Sequence, residues 1–200
     1  MKDIFNEYQE SIKQFIKNKK FMFLMILTTV LSYGFTITHS SIGMDDLTLD
    51  KYIGDTYILS AGRWGTWLTY NLLRIKEFTP FWLDFIVVCV LLITAIFLCS
   101  FFKRVSKGKL KESSYIIFGT AFLSSPIVNN FFIYQATNLT VALSNLLLII
   151  ALSIIYENFY GKKRKKIYFL LAFFLIYPIS MYEACCQTFV VLMFIVTLLH

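Results

Sequence analysis

Residues Phe81–Phe102 read FWLDFIVVCVLLITAIFLCSFF, and Lys103 and Arg104 follow at once. The run holds a single charge, Asp84. As an α-helix it is about 33 Å long, enough to cross the hydrocarbon core of a bilayer. A basic pair directly after such a run marks the side where it stops, because Lys and Arg resist translocation. Five further apolar runs lie around it: Phe21–Thr38, Ser113–Tyr134 with Pro126 inside, Asn138–Phe159, Ile167–Tyr182 with Pro178 inside, and Thr188–His200. The expected fold class is all-α, a polytopic transmembrane helix bundle of about six spans.

Composition agrees. The chain of 200 residues is 58% hydrophobic and only 16% charged, with a mean hydropathy of +0.66. A soluble domain lies nearer half apolar and a quarter charged. The first run begins at Phe21, behind a charged stretch, and no small-residue cleavage site follows it; it reads as a retained signal-anchor. The last run rises only about 20 Å before the sequence stops. The expectation is therefore a truncated form or the N-terminal piece of a longer protein.

The net charge of +7 has its explanation in placement. Fifteen of the nineteen basic residues fall in 1–20, 103–112 and 160–166, which is every second loop. This is the positive-inside pattern. It puts the N-terminus in the cytoplasm of a bacterial cell, in the inner membrane, with contact to anionic lipid headgroups. No nucleic-acid partner is expected. Within 1–20, Ile4, Tyr8, Ile12, Phe15 and Ile16 recur at helical spacing, which predicts an amphipathic helix on the inner leaflet. The division expected is a cytoplasmic amphipathic N-terminus, 1–20, and a transmembrane domain, 21–200, carrying an outer loop, 39–80.

That loop is the least membrane-like part of the chain. It holds Asp45, Asp46, Asp50 and Asp55, and two of the three tryptophans. After it passes Ser60-Ala61-Gly62-Arg63-Trp64-Gly65-Thr66-Trp67, an amphipathic run continues to Ile75. Trp64, Leu68, Leu72 and Ile75 form one helical stripe; Arg63, Thr66, Tyr70 and Arg74 form another. Such a helix is expected to lie flat at the interface, its tryptophans at headgroup depth. A carboxylate beside a hydroxyl can take its proton as the oxygen attacks. Two neighbouring carboxylates repel, which raises one of their pKa values. An arginine pairs bidentately with phosphate. An acidic pair followed by Arg and Trp thus suits a lipid-phosphate donor and a hydroxyl acceptor. The plainer alternative is a solvated acidic loop with an interfacial anchor helix.

The segments His39-Ser40-Ser41-Ile42-Gly43-Met44-Asp45-Asp46 and Gly62-Arg63-Trp64-Gly65, in that order after the first span, resemble the GtrII-type glucosyltransferase family. Ile179-Ser180-Met181-Tyr182-Glu183-Ala184 is similar to a Ser-x-Tyr-Gln-Ala segment there, with Glu183 in place of Gln. The resemblance runs from about Phe21 to His200 and matches the N-terminal portion of such proteins. It implies a GT-C-like architecture and a polyprenyl-phosphate sugar as donor. Catalysis would take place on the outer face, with a surface polysaccharide such as O-antigen as acceptor. It carries the catalytic base onto Asp45 and Asp46. Arg63 is the expected phosphate contact on chemical grounds. No nucleotide-binding glycine loop is present, in keeping with a lipid-linked donor.

Other polar residues gather at the outer ends of the spans. Asn129, Asn130, Tyr134, Gln135 and Asn138 could line a sugar cavity or bond to one another. Trp64, Tyr182 and Glu183 could face the same cavity, and His39 could assist in acid–base chemistry. Asp84 could cap its helix or join the site. No cofactor is required, although Asp45 and Asp46 could hold a divalent cation. No zinc set can be built from two histidines so far apart, and the four cysteines read as apolar packing residues. The function expected is hexose transfer, with glucose as the sugar. The rivals are a transporter or flippase of a lipid-linked saccharide, and an inactive truncated remnant. A transporter needs polar groups through the whole depth of the bundle, and these runs hold few below their outer ends.

Overall fold

The structure, a computed structural model, describes residues 2–39, 56–75, 81–126, 128, 135–160 and 168–199. Its helices are α1 (Lys2–Lys17), α2 (Lys19–Thr38), α3 (Thr56–Ser60), α4 (Trp64–Leu73), α5 (Trp82–Val105), α6 (Glu112–Leu123), α7 (Gln135–Tyr160), α8 (Tyr168–Met181) and α9 (Cys185–Leu199). No strand occurs among the described residues. The protein is an all-α membrane bundle.

Among the described residues, three helices are long and apolar enough to cross a membrane: Lys19–Thr38, Trp82–Val105 and Thr137–Asn158 within α7. These are the first, second and fourth of the expected spans. The other three expected spans hold α6, α8 and α9, of 12, 14 and 15 residues. Such helices rise only about 18–22 Å, less than the hydrocarbon core. Helix α6 ends at Leu123, just before Ser124-Ser125-Pro126. Pro126 has no N–H to continue the ladder and disfavours helical backbone in the residue before it.

Helices α5 and α7 form the centre, side by side and running the same way. They are pinned at both ends. Near the start of each, Asn138 Nδ2 donates to Asp84 Oδ1 at 2.8 Å. Near the finish, Arg104 Nε donates to Glu157 Oε1 at 2.8 Å. Arg104 also pairs with Glu7 of α1, so one guanidinium ties α1, α5 and α7 together. The lysine-rich turn Ser106–Lys111 lies at this same end, reversed by Lys107 and Gly108, whose φ values are 51° and 71°. Helix α1 therefore spends part of its apolar face on protein. Phe15 is buried against Phe21 and Tyr115, and Ile12 packs on the core, while Ile16 is exposed. Asn18 breaks the chain between α1 and α2, and its Oδ1 accepts from Phe21 N at 3.1 Å to cap α2.

Close packing of α6 depends on one glycine. A Cβ at Gly119 would stand 2.7 Å from Met25 Sδ and 3.2 Å from Cys99 Sγ. Small residues let helices approach where lipid supplies no hydrophobic drive between them. Outward faces keep the large apolar side chains: Leu31 and Phe35 on α2, Phe194 and Leu198 on α9. Such a belt suits contact with lipid tails.

Candidate functional site

At the end of the bundle opposite the lysine-rich turn, the chain builds a clasp from two distant segments. Helix α3 closes through Gly62, in left-handed backbone at φ +78°, with Gly62 N on Leu59 O and Arg63 N on Ile58 O, each at 3.0 Å. This turn delivers Arg63 as the residue before α4. Trp67 N donates to Arg63 O at 3.2 Å and starts the helix.

Helix α4 then lies against α8. Thr66 Oγ1 donates to Met181 O at 2.8 Å. Thr69 Oγ1 donates to Gly65 O at 2.7 Å, so the Tyr177 hydroxyl, 2.9 Å from Thr69 Oγ1, is left to act as donor to it. At Gly65 there is no room for a side chain: a Cβ would collide with Ser180 Oγ and stand 3.0 Å from Met181 N. The Gly-Arg-Trp-Gly and Ser-Met-Tyr-Glu-Ala segments, read separately in the sequence, are thus packed directly on each other.

The buried face of α4 is Gly65, Thr66, Thr69 and Tyr70, whereas Trp64, Leu68 and Leu72 face outward. Thr66 and Tyr70, members of the same stripe as Arg63 and Arg74, lie on this buried face. Those side chains are interior because small residues at i and i+4, Gly65 and Thr69, admit α8 at close range. That spacing was the available signal for the packing role of Gly65 and Thr69; Tyr177, on α8, carried none.

Arg63 is the half-buried product of the clasp. Its guanidinium lies 5.1 Å from the centroid of the Tyr182 ring. Its Nη2 is 3.9 Å from Glu183 Oε1. The Nε is buried, with no hydrogen-bond partner among the described residues. The Arg63 side chain is 31% exposed and Glu183 75%, so the pair is a loose one in a wet setting. A stacked, half-exposed guanidinium with unused donors can receive an oxyanion. Trp64 stands beside it, its ring 5.9 Å from that of Tyr177.

Four expected site residues, Arg63, Trp64, Tyr182 and Glu183, therefore come together. His39 ends α2, with its ring stacked on Phe35 at 4.4 Å and its Nδ1 2.9 Å from Thr38 Oγ1; both partners belong to its own helix. Gln135 opens α7, with its side chain outside the described set. Asp45, Asp46, Tyr134, Asn129 and Asn130 lie outside the described residues. Asp84 is 2% exposed and occupies the first turn of α5, where a carboxylate favours the helix dipole. Its bond to Asn138 joins two helix ends. Among the described residues, no three His, Cys, Asp or Glu side chains gather into a metal set.

No curated protein and no solved structure matches the chain. Residues 34–200 match the family described as Glucosyl transferase GtrII, a stretch that includes both halves of the clasp. On that match, and with a membrane bundle that presents Arg63 beside Tyr182, the chain belongs to the GtrII glucosyltransferase family.

Proposed function

We propose that the protein is a GT-C-type hexosyltransferase of the bacterial inner membrane. The N-terminus and the lysine-rich turn lie on the cytoplasmic side, and the clasp lies on the outer face. The donor is a polyprenyl-phosphate hexose, with glucose as the sugar, and the acceptor is a hydroxyl of a surface glycan such as O-antigen. Asp45 or Asp46 takes the proton of that hydroxyl as its oxygen bonds to the anomeric carbon. The bond from the anomeric carbon to the phosphate oxygen breaks, and the phosphate leaves on its lipid. Arg63 holds that phosphate and offsets the charge that grows on it as the bond breaks.

The observation that carries this reading is Arg63 itself: a guanidinium stacked on Tyr182 and loosely paired to Glu183, with Nε unpartnered among the described residues. The family supports the transferase class. The chain's own order, an acidic pair some seventeen residues before Gly62-Arg63, supports a base and a phosphate contact in one loop system.

The test is transfer in membranes, using radiolabelled polyprenyl-phosphate glucose and candidate glycans. Asp45→Asn with Asp46→Asn is expected to abolish transfer. Arg63→Ala should raise the donor KM by about 10- to 100-fold, the range for losing charge-assisted hydrogen bonds to phosphate. Arg63→Lys should recover only part of it, because an ammonium cannot make the planar pair. Transfer that survives the double aspartate change unaltered would remove the catalytic assignment.

A further inference from the structure

Asn145 is a buried amide that the packing of the helices leaves unused. It lies on α7 two turns past Asn138, about 10 Å deeper along the helix axis, and is 7% exposed. An amide at such depth is costly unless protein or a cavity gives it partners. Its neighbours on α7 reach across to other helices. Asn138 Nδ2 meets Asp84 of α5 at 2.8 Å, and Ser144 Oγ lies 3.3 Å from Pro178 O of α8. Among the described residues Asn145 bridges to no other helix. Its Nδ2 donates to Val141 O of its own helix at 3.0 Å, which leaves one N–H and the Oδ1 lone pairs for an occupant.

Asn145 lines a cavity of about 530 Å³ between α5, α6, α7 and α9, a size suited to a small molecule. Ser125, Tyr182, Gln187 and Thr188 line it too. Ser125 follows the end of α6, and Gln187 and Thr188 lie in the first turn of α9, so these groups sit at the clasp end. Among the described residues no charged side chain lines the cavity. A phosphate would find no counter-charge inside. Arg63 stays outside; Tyr182, whose ring lies 5.1 Å from that guanidinium, borders both. Amides, hydroxyls and one aromatic ring suit a neutral ring that carries several hydroxyls. Each hydroxyl can donate to and accept from an amide, and the C–H face of the ring can pack on the aromatic. We propose that the clasp end of this cavity is a pyranose site, in which Asn145 selects the sugar by bonding one of its hydroxyls. The proposal rests on the transferase reading and adds where a sugar ring lies and which residue reads it. Donor hexose and acceptor glycan offer the same ring chemistry, and the test separates them.

The test is transfer by the full chain in membranes, with two series of substrates. One series is polyprenyl-phosphate glucose lacking one hydroxyl at a time; the other is acceptor glycosides lacking one hydroxyl at a time. A site built to bond a hydroxyl rejects the analogue without it, because its own polar group is left unpaired. Wild type should lose about 10- to 100-fold in kcat/KM with one deoxy compound of one series. That series identifies the ring as donor or acceptor. In Asn145→Ala the preference for the parent over that compound should shrink to about twofold, while preferences at other hydroxyls persist. Asn145→Ser, which keeps a hydroxyl, should retain part of it and carries the comparison where the alanine protein fails to fold. A packing role would instead lower parent and deoxy compounds alike; wild-type preferences in both series would overturn the proposal. Binding is read separately, by saturation-transfer NMR with methyl glucoside and the protein in nanodiscs, and the signal should weaken in both variants. A signal that depends on Asn145 in a protein that transfers no sugar would sink the transferase reading and leave the pyranose site standing. Transfer with neither preference nor signal dependent on Asn145 would sink the site alone.

Discussion

Thr66 and Met181, 115 residues apart in the chain, are joined by a 2.8 Å hydrogen bond from the threonine hydroxyl to the methionine carbonyl. The bond is buried, and beside it Gly65 touches Ser180 and Met181 with no space between them. Everything at the candidate site that faces solvent, Arg63 and Trp64 above all, is positioned by this contact.

Gly65→Ala should loosen the clasp. The added methyl meets Ser180 Oγ, which can turn aside, and the Met181 backbone, which cannot. Overpacking of this kind costs about 1–3 kcal/mol. Thermal unfolding in detergent should show the loss, and donor KM should rise because Arg63 shifts with the helix it precedes. A variant with wild-type stability and wild-type KM would show that the close approach is not needed.

Glu183→Gln should strengthen donor binding. The carboxylate at 3.9 Å competes with phosphate for Arg63. An exposed pair of this kind is worth about 0–1 kcal/mol, so the donor KM should fall by no more than about fivefold. Steady-state kinetics at low and high salt check it, since the gain should shrink as salt screens the pair. An increase in KM would reassign Glu183 as a contact to the sugar.

Asp84→Ala should destabilise the end of the bundle that carries the clasp. It leaves the buried Asn138 amide without the carboxylate that it meets at 2.8 Å. Leaving a buried donor unmet costs about 1–3 kcal/mol. Asp84→Asn keeps an acceptor oxygen in place and should cost less. Equal thermal shifts for the two variants would mean that the hydrogen bond contributes nothing.

Topology has its own measurement. A cysteine at Ser41 should react with a membrane-impermeant maleimide in intact cells, and a cysteine at Lys109 should react only after permeabilisation. The reverse pattern would turn the protein over in the membrane and place Arg63 on the cytoplasmic side.

The membrane bundle was legible in the sequence because α2, α5 and α7 are continuous apolar runs between lysine clusters, a signal that length and charge carry without reference to neighbours. The third expected span, Ser113–Tyr134, holds the shorter helix α6, since hydropathy ignores what Pro126 does to the ladder, whereas α8 nearly fills the fifth, Ile167–Tyr182. At the site, chemistry picked out Arg63, Trp64, Tyr182 and Glu183 one by one. Their meeting depends on Gly65, Thr66 and Thr69 packing on α8, and no local pattern says which helix a small-residue face will choose. In helix α4 the hydroxyls of Thr66 and Thr69 each bond a backbone carbonyl in the interior, a placement that the stripe pattern alone does not reveal.

The glycine gap on α6 also bears on how the protein ages. Met25 fills the space that Gly119 leaves, its side chain wholly buried and its sulfur beside Cys99. Oxidation of that thioether to the sulfoxide would drive a polar oxygen into this seam, where α2, α5 and α6 meet. Full burial shields that thioether from peroxide while the bundle stays closed, so its oxidation would follow, and then fix, a parting of the helices that hold the membrane frame together.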